Sequence, residues 1–250
     1  MKIVFHERYL DEYSRDPAAK RGRLDKAWQD LRPLYELIEP DMAEEADILR
    51  VHSQQHFEML TGSPYLFMMA LLSAGGAIAA AELAVQGEPA FALIRPPGHH
   101  ATVDDCWGFC WFNNMAIALE RLRQTGRIET AFILDIDLHF GDGTQEIFAE
   151  RPEITYFSLG DLKDLPARLE AVDECDILGI SAGFDRHALD WGGLMETEDY
   201  RIVGRQVAKA VRRLCPGKVF ALLEGGYNPD ALSSSIKALL EGLEDPGEIG

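Results

Sequence analysis

The sequence predicts a single α/β domain over residues 1–250, with a central, mostly parallel sheet and helices on both of its faces. Three observations predict it. Short, continuous apolar runs recur at residues 2–5, 91–94, 131–134, 154–159, 177–180 and 219–223. Runs of this length suit strands buried on both faces, as in a parallel sheet, better than strands with one wet face. Helix-period stretches lie between them at 65–85, 114–124 and 200–214, and alternation of strand with helix is the pattern of a doubly wound sheet. Each apolar run also stops at a polar cluster, and ligands of such sheets sit beyond the carboxyl ends of the strands.

In chain order, run 2–5 stops at His6-Glu7-Arg8. Run 91–94 stops at Arg95-Pro96-Pro97-Gly98-His99-His100, and run 131–134 enters Asp135-Ile136-Asp137-Leu138-His139. Run 154–159 stops at Gly160-Asp161, run 177–180 at Ser181-Ala182-Gly183-Phe184-Asp185, and run 219–223 at Glu224-Gly225-Gly226-Tyr227-Asn228. The chemistry is therefore expected at one edge of the sheet. Residues 59–81 carry no charge and have the length of a membrane span. Thr61, Gly62, Ser63, Pro64, Ser73 and Gly75-Gly76 interrupt them, so a buried helix against the sheet is expected instead.

The 250 residues, 47% of them hydrophobic, suffice for one substantial core. With 42 acidic against 24 basic residues, the net charge is −18. Such a surface repels nucleic acid and anionic membrane, and neither is an expected partner. Cys106, Cys110, Cys175 and Cys215 make no CxxC pair, and charged residues follow closely on the first apolar residues. A reduced, cytoplasmic chain without a signal peptide is expected.

The polar clusters carry recognisable chemistry. In an extended strand, Asp135, Asp137 and His139 share a face at a repeat of about 6.6 Å. Carboxylate plus imidazole, completed by a third ligand, is a catalytic zinc pattern, while the plainer reading is a hydrogen-bonded strand end. His99-His100 in a Pro-Gly turn offers ligand, base or acid, since imidazole titrates near neutrality. Asp185 is the natural third ligand, or a helix cap. Tyr227, on a glycine-hinged loop, is an oxyanion donor or a packing ring. Gly108-Phe109-Cys110-Trp111-Phe112 lines a slot for a substrate stem, or belongs to the core.

Together, residues 95–101, 108–118, 134–144, 181–187 and 224–228 resemble, in order, the signature motifs of the histone deacetylase, acetoin utilisation and acetylpolyamine amidohydrolase superfamily. Val51-His52-Ser53 matches a weaker N-terminal motif. The resemblance implies an arginase/deacetylase-like fold and a zinc-dependent amidohydrolase acting on an acylated amine, whether peptide lysine, polyamine or small metabolite. It implies zinc on Asp137, His139 and Asp185, and His100 as the base that deprotonates the attacking water and then protonates the leaving amine. His99 would be its companion imidazole, with Asp135 and Asp142 as the carboxylates behind the two histidines. Tyr227 would donate to the oxyanion, and the Gly108 carbonyl and Phe109 ring would grip the stem. An inner K+ or Na+ ion would use Asp135, Asp137, His139, Ser158 and Leu159. A homo-oligomer is compatible with all of this. The rival readings are a non-catalytic acyl-lysine binder and another metal hydrolase of the same fold.

The chain departs from that family at the rim. Ser158-Leu159-Gly160 passes almost directly into 161–175, where relatives carry a long loop with a second aromatic wall. The family's Asp-Pro-Leu-Gly turn reads Asp190-Trp191-Gly192-Gly193. The expectation is an open pocket with Phe109 as its single stacking surface.

Overall fold

In chain order the computed structural model, which describes residues 1–245, contains β1 (Lys2–Val4), α1 (Asp25–Leu31), β2 (Glu36–Ile38), α2 (Glu45–Ile48), α3 (Gln54–Thr61), α4 (Pro64–Val85), β3 (Ala90–Ala92), α5 (Asn114–Gln124), β4 (Ala131–Asp135), α6 (Asp142–Phe148), β5 (Ile154–Ser158), α7 (Leu165–Glu170), β6 (Ile177–Ala182), α8 (Thr197–Leu214), β7 (Val219–Leu223) and α9 (Pro229–Glu244). Residues 246–250, the end of the expected domain, lie outside the described residues.

The strands form one seven-stranded sheet in the order β2-β1-β3-β7-β6-β4-β5. Every neighbouring pair is parallel. Strands β3, β4, β6 and β7 are buried along their whole length, which is why they read as uninterrupted apolar runs. Edge strand β2 is mostly exposed and left no such run. The register sets Asp135 opposite Ser158 on one side and Ser181 on the other, so the strands end together.

Local caps fix where the helices begin. Asn113 accepts the Ala116 N–H at the start of α5, and Asn228 accepts the N–H groups of Asp230 and Ala231 at the start of α9, with Pro229 in its first turn. Glu196 and Asp199 close a capping box on α8. Helix α4 is long and apolar enough to cross a membrane by length and composition, but 56% of its most apolar window is buried. It packs along α5 and against β3 and β7, as expected of a core helix.

One expectation needs correction. Asp135, Asp137 and His139 do not share one extended strand, because β4 ends at Asp135. The Asp135 carboxylate accepts the Asp137 N–H at 3.0 Å, and the Asp137 carboxylate accepts the His139 N–H at 2.9 Å. Two successive aspartate turns bend the chain back over the sheet edge.

Candidate active site

The loops after β3, β4, β6 and β7 meet at that edge. Asp137, His139 and Asp185 bring one ligand atom each within 4.8 Å of one another. His139 Nδ1 lies 3.1 Å from Asp137 Oδ1 and 3.1 Å from Asp185 Oδ2. Asp137 Oδ2 accepts the Gly225 N–H at 2.8 Å, and Asp185 Oδ1 accepts the Leu138 N–H at 2.9 Å. Asp185 Oδ2 is buried, and its one close polar neighbour, His139 Nδ1, does not form a hydrogen bond with it. Gly225 is required beside it, since a Cβ there would stand 2.6 Å from Asp137 Oδ2 and 2.9 Å from Asp185 Oδ2. Burial and the charge of Asp137 push the Asp185 carboxyl up to about 7. Burial works against Asp137 as well, yet the His99 charge and the hydrogen bonds from His139 and Gly225 hold it well below the usual range. Two carboxylates and an imidazole around an unsatisfied buried oxygen are a donor set that fits a divalent metal with three protein ligands.

The two histidines stand beside this cluster, their rings 4.1 Å apart. His99 Nδ1 is 3.0 Å from Asp135 Oδ2, and His100 Nδ1 is 2.6 Å from Asp142 Oδ1. Trp107 donates to the other Asp142 oxygen at 2.9 Å and lies over the His100 ring at 3.8 Å. Burial lowers His99, but the Asp137 and Asp135 charges outweigh it and hold its pKa well above the ordinary value. Burial and the neighbouring His99 charge lower His100. Behind the pair, Glu224 accepts the Gly98 and His99 N–H groups at 2.7 and 3.3 Å, and burial pushes its carboxyl up to about 7. Glu224 has no role in the sequence reading, although it opens the motif that contains Tyr227. With His99 and Cys110 it forms a second buried group of ligand-type atoms.

The Tyr227 loop is held rather than free. Asp190 Oδ2 accepts the N–H groups of Tyr227 and Asn228, each at 2.7 Å. Arg23 donates to Gly226 O at 2.7 Å and Glu224 O at 2.6 Å, and its guanidinium lies 5.0 Å from the Tyr227 ring. No sequence signal singles out Arg23 from its basic neighbours Lys20, Arg21 and Lys26.

These groups enclose a cavity of about 170 Å³, lined by His99, His100, Trp107, Phe109, Trp191 and Tyr227 among others. Gly108 and Phe109 both take positive φ, 60° and 70°. A Cβ on Gly108 would meet His100 Cδ2 at 2.4 Å, so glycine lets the backbone close over the imidazole. The expectation of a single aromatic wall is corrected here. Trp191 stacks on Tyr227 at 4.0 Å and meets Phe109 edge to face at 6.4 Å and His139 at 6.2 Å. The tryptophan of the 190–193 turn thus supplies a second ring to the pocket lining. Gly179-Ile180-Ser181-Ala182-Gly183 formally spells a serine-hydrolase elbow. Ser181, however, is wholly buried inside β6 and is no exposed nucleophile.

Of the expected monovalent-cation set, the Asp137 and Leu159 carbonyls and the Asp135 carboxylate do not stand free. Arg186 donates to Asp137 O at 2.9 Å, to Gly160 O at 3.2 Å and to Leu159 O. Leu159 N–H is bonded to Asp135 O at 2.8 Å. The Asp135 carboxylate is taken by Asp137 N–H, His99 and the Tyr156 hydroxyl. Residues that hold a guanidinium on these carbonyls do not fit an inner K+ or Na+ ion as well.

Fold and site together define a parallel α/β sheet with a candidate metal cluster and a histidine pair at its carboxyl edge. Residues 59–165 and 162–243 match the family described as histone deacetylase domain, and the chain belongs to that family. It is similar to a probable deacetylase of Methanothermobacter thermautotrophicus, 32% identical over 96% of this chain and 87% of that protein. An acetylpolyamine amidohydrolase of Mycoplana ramosa is 47% identical over a shorter stretch, 39% of this chain and 28% of that one. The crystal structure of an HDA15 HD domain matches with a TM-score of 0.84 at 26% identity, over 98% of this chain and 91% of the other. These likenesses support hydrolase activity of the deacetylase and amidohydrolase type.

Proposed function

We propose that the protein is a zinc-dependent deacylase that hydrolyses the amide of an N-acylated amine, of the acetyl-lysine or acetylpolyamine kind. The observation that carries the reading is the Asp137, His139 and Asp185 cluster, whose Asp185 Oδ2 receives no hydrogen bond, beside a pocket lined by His99, His100 and Tyr227. Zinc bound there supplies Lewis acidity, lowering the pKa of a water toward about 7 and polarising a carbonyl.

The chain's own residues do the rest. Asp142 engages His100 Nδ1, which leaves Nε2 to take a proton from the attacking water. The water oxygen joins the acyl carbon, the carbon–nitrogen bond breaks, and His100 returns its proton to the amine nitrogen. His99, held by Asp135, gives electrostatic support beside it. The Tyr227 hydroxyl donates to the oxyanion as it forms. Phe109 and Trp191 line the pocket on the side where the amine stem would lie. Four cysteines without disulfides suit a cytoplasmic setting.

Purified protein should hold about one zinc per chain, as a three-ligand catalytic site does. Asp185→Ala should lose the metal and the turnover of an N-acetyl amine together. Full turnover in strong chelator, with no metal detected by elemental analysis, overturns the reading.

A further inference from the structure

We propose that the Arg186 guanidinium is a covalently attached structural cation that binds the Asp137, Leu159 and Gly160 carbonyls, so that the protein needs no K+ or Na+ ion at this place. Arg186 follows Asp185 directly in the loop after β6, and only 7% of it is exposed. Its three nitrogens reach three different carbonyls. Nε donates to Asp137 O at 2.9 Å, Nη1 to Gly160 O at 3.2 Å and Nη2 to Leu159 O.

Converging carbonyl dipoles need a positive charge at their focus. A spherical ion meets that need with no directional preference. A guanidinium meets it with several N–H donors in a fixed plane, which selects one arrangement of the carbonyls. The carbonyls come from two loops, one after β4 and one after β5. Arg186 therefore ties the segment carrying Asp137 to the turn where the chain leaves the edge strand. It does so without the entropy loss of trapping an ion from solution. Its effect on chemistry runs through Asp137, whose carbonyl it holds and whose carboxylate belongs to the candidate metal cluster. Arg186 is thus a positioning residue.

The part of the inference that concerns turnover rests on the deacylase reading, and the part that concerns stability does not. Thermal unfolding and turnover of the metal-loaded protein are compared in KCl, NaCl and tetramethylammonium chloride at one fixed ionic strength. The expected wild-type result is the same Tm and the same turnover in all three salts. Arg186→Ala should lose several degrees of Tm, and K+ but not tetramethylammonium should recover part of that loss by entering the vacated carbonyl cage. Turnover should follow the same pattern of loss and rescue. Arg186→Met, which keeps the packed stem, takes its place if the alanine variant fails to fold. A wild type stabilised by K+ over tetramethylammonium overturns the proposal, and so does a variant with no K+ response in Tm. If no acyl amine is turned over by any form, the Tm comparison alone decides.

Discussion

Each side chain proposed to take part in the chemistry has a partner that fixes it. Asp142 and Trp107 hold His100, Asp135 holds His99, and Arg23 and Trp191 pack on Tyr227. Because Tyr227 is held by its backbone and its ring, Tyr227→Phe should leave metal content and Tm unchanged. Loss of one oxyanion donor typically costs about 10²–10³ in kcat. Unchanged steady-state turnover would reduce Tyr227 to a packing residue. Trp191→Ala removes the ring facing Phe109, so discrimination between slender and branched N-acyl amines should fall about tenfold, the scale of one methylene in an apolar pocket. Trp191→Phe should keep most of that discrimination, and a ratio of kcat/KM values indifferent to both changes would exclude the wall. The candidate ligands, the histidines and the tyrosine were legible in the sequence because each motif keeps its residues side by side. Arg23 and Arg186 were not, since their partners lie 203 and 49 positions away and only the folded chain brings them together.

At the scale of elements, the buried strands were legible because burial on both faces writes itself as an apolar run. Strand β2, three residues long and largely wet, wrote nothing of the kind. The bend after Asp135 was missed for a different reason. Strand periodicity says where side chains point, but not that two aspartates will cap the backbone and end the strand. His52, between α2 and α3, is a third case, present in a motif without an evident task. Its Nε2 accepts the Asn113 N–H at 2.9 Å, immediately before α5. Burial, then the nearby His56, push its pKa down to about 3. An unfolded imidazole takes its proton near pH 6.5. Between these values the unfolded chain binds more protons than the folded one, so stability falls as pH drops from about 6.5 toward 3. Urea midpoints across this window should decline more steeply for the wild type than for His52→Gln, and parallel declines would remove His52 from the account.

For the whole molecule, the charge of −18 acts on encounter more than on chemistry. Fields between exposed charges are screened within about 8–10 Å at ordinary ionic strength. Values of kcat/KM for acyl amines that carry a second ammonium should therefore drop as salt is raised, while neutral isosteres of equal length stay level. Parallel salt curves would show that the surface steers nothing. The strand order has a consequence in biosynthesis. Strand β7, the last in chain order among the described strands, lies between β3 and β6. A ribosome thus delivers the first 218 residues before the strand that joins β2-β1-β3 to β6-β4-β5 exists. Until then neither β3 nor β6 has this partner, and an unpaired apolar edge is the kind of surface that recruits other chains. A premature stop anywhere before Val219 would release those edges into the cell as an aggregation hazard, not as a shortened enzyme.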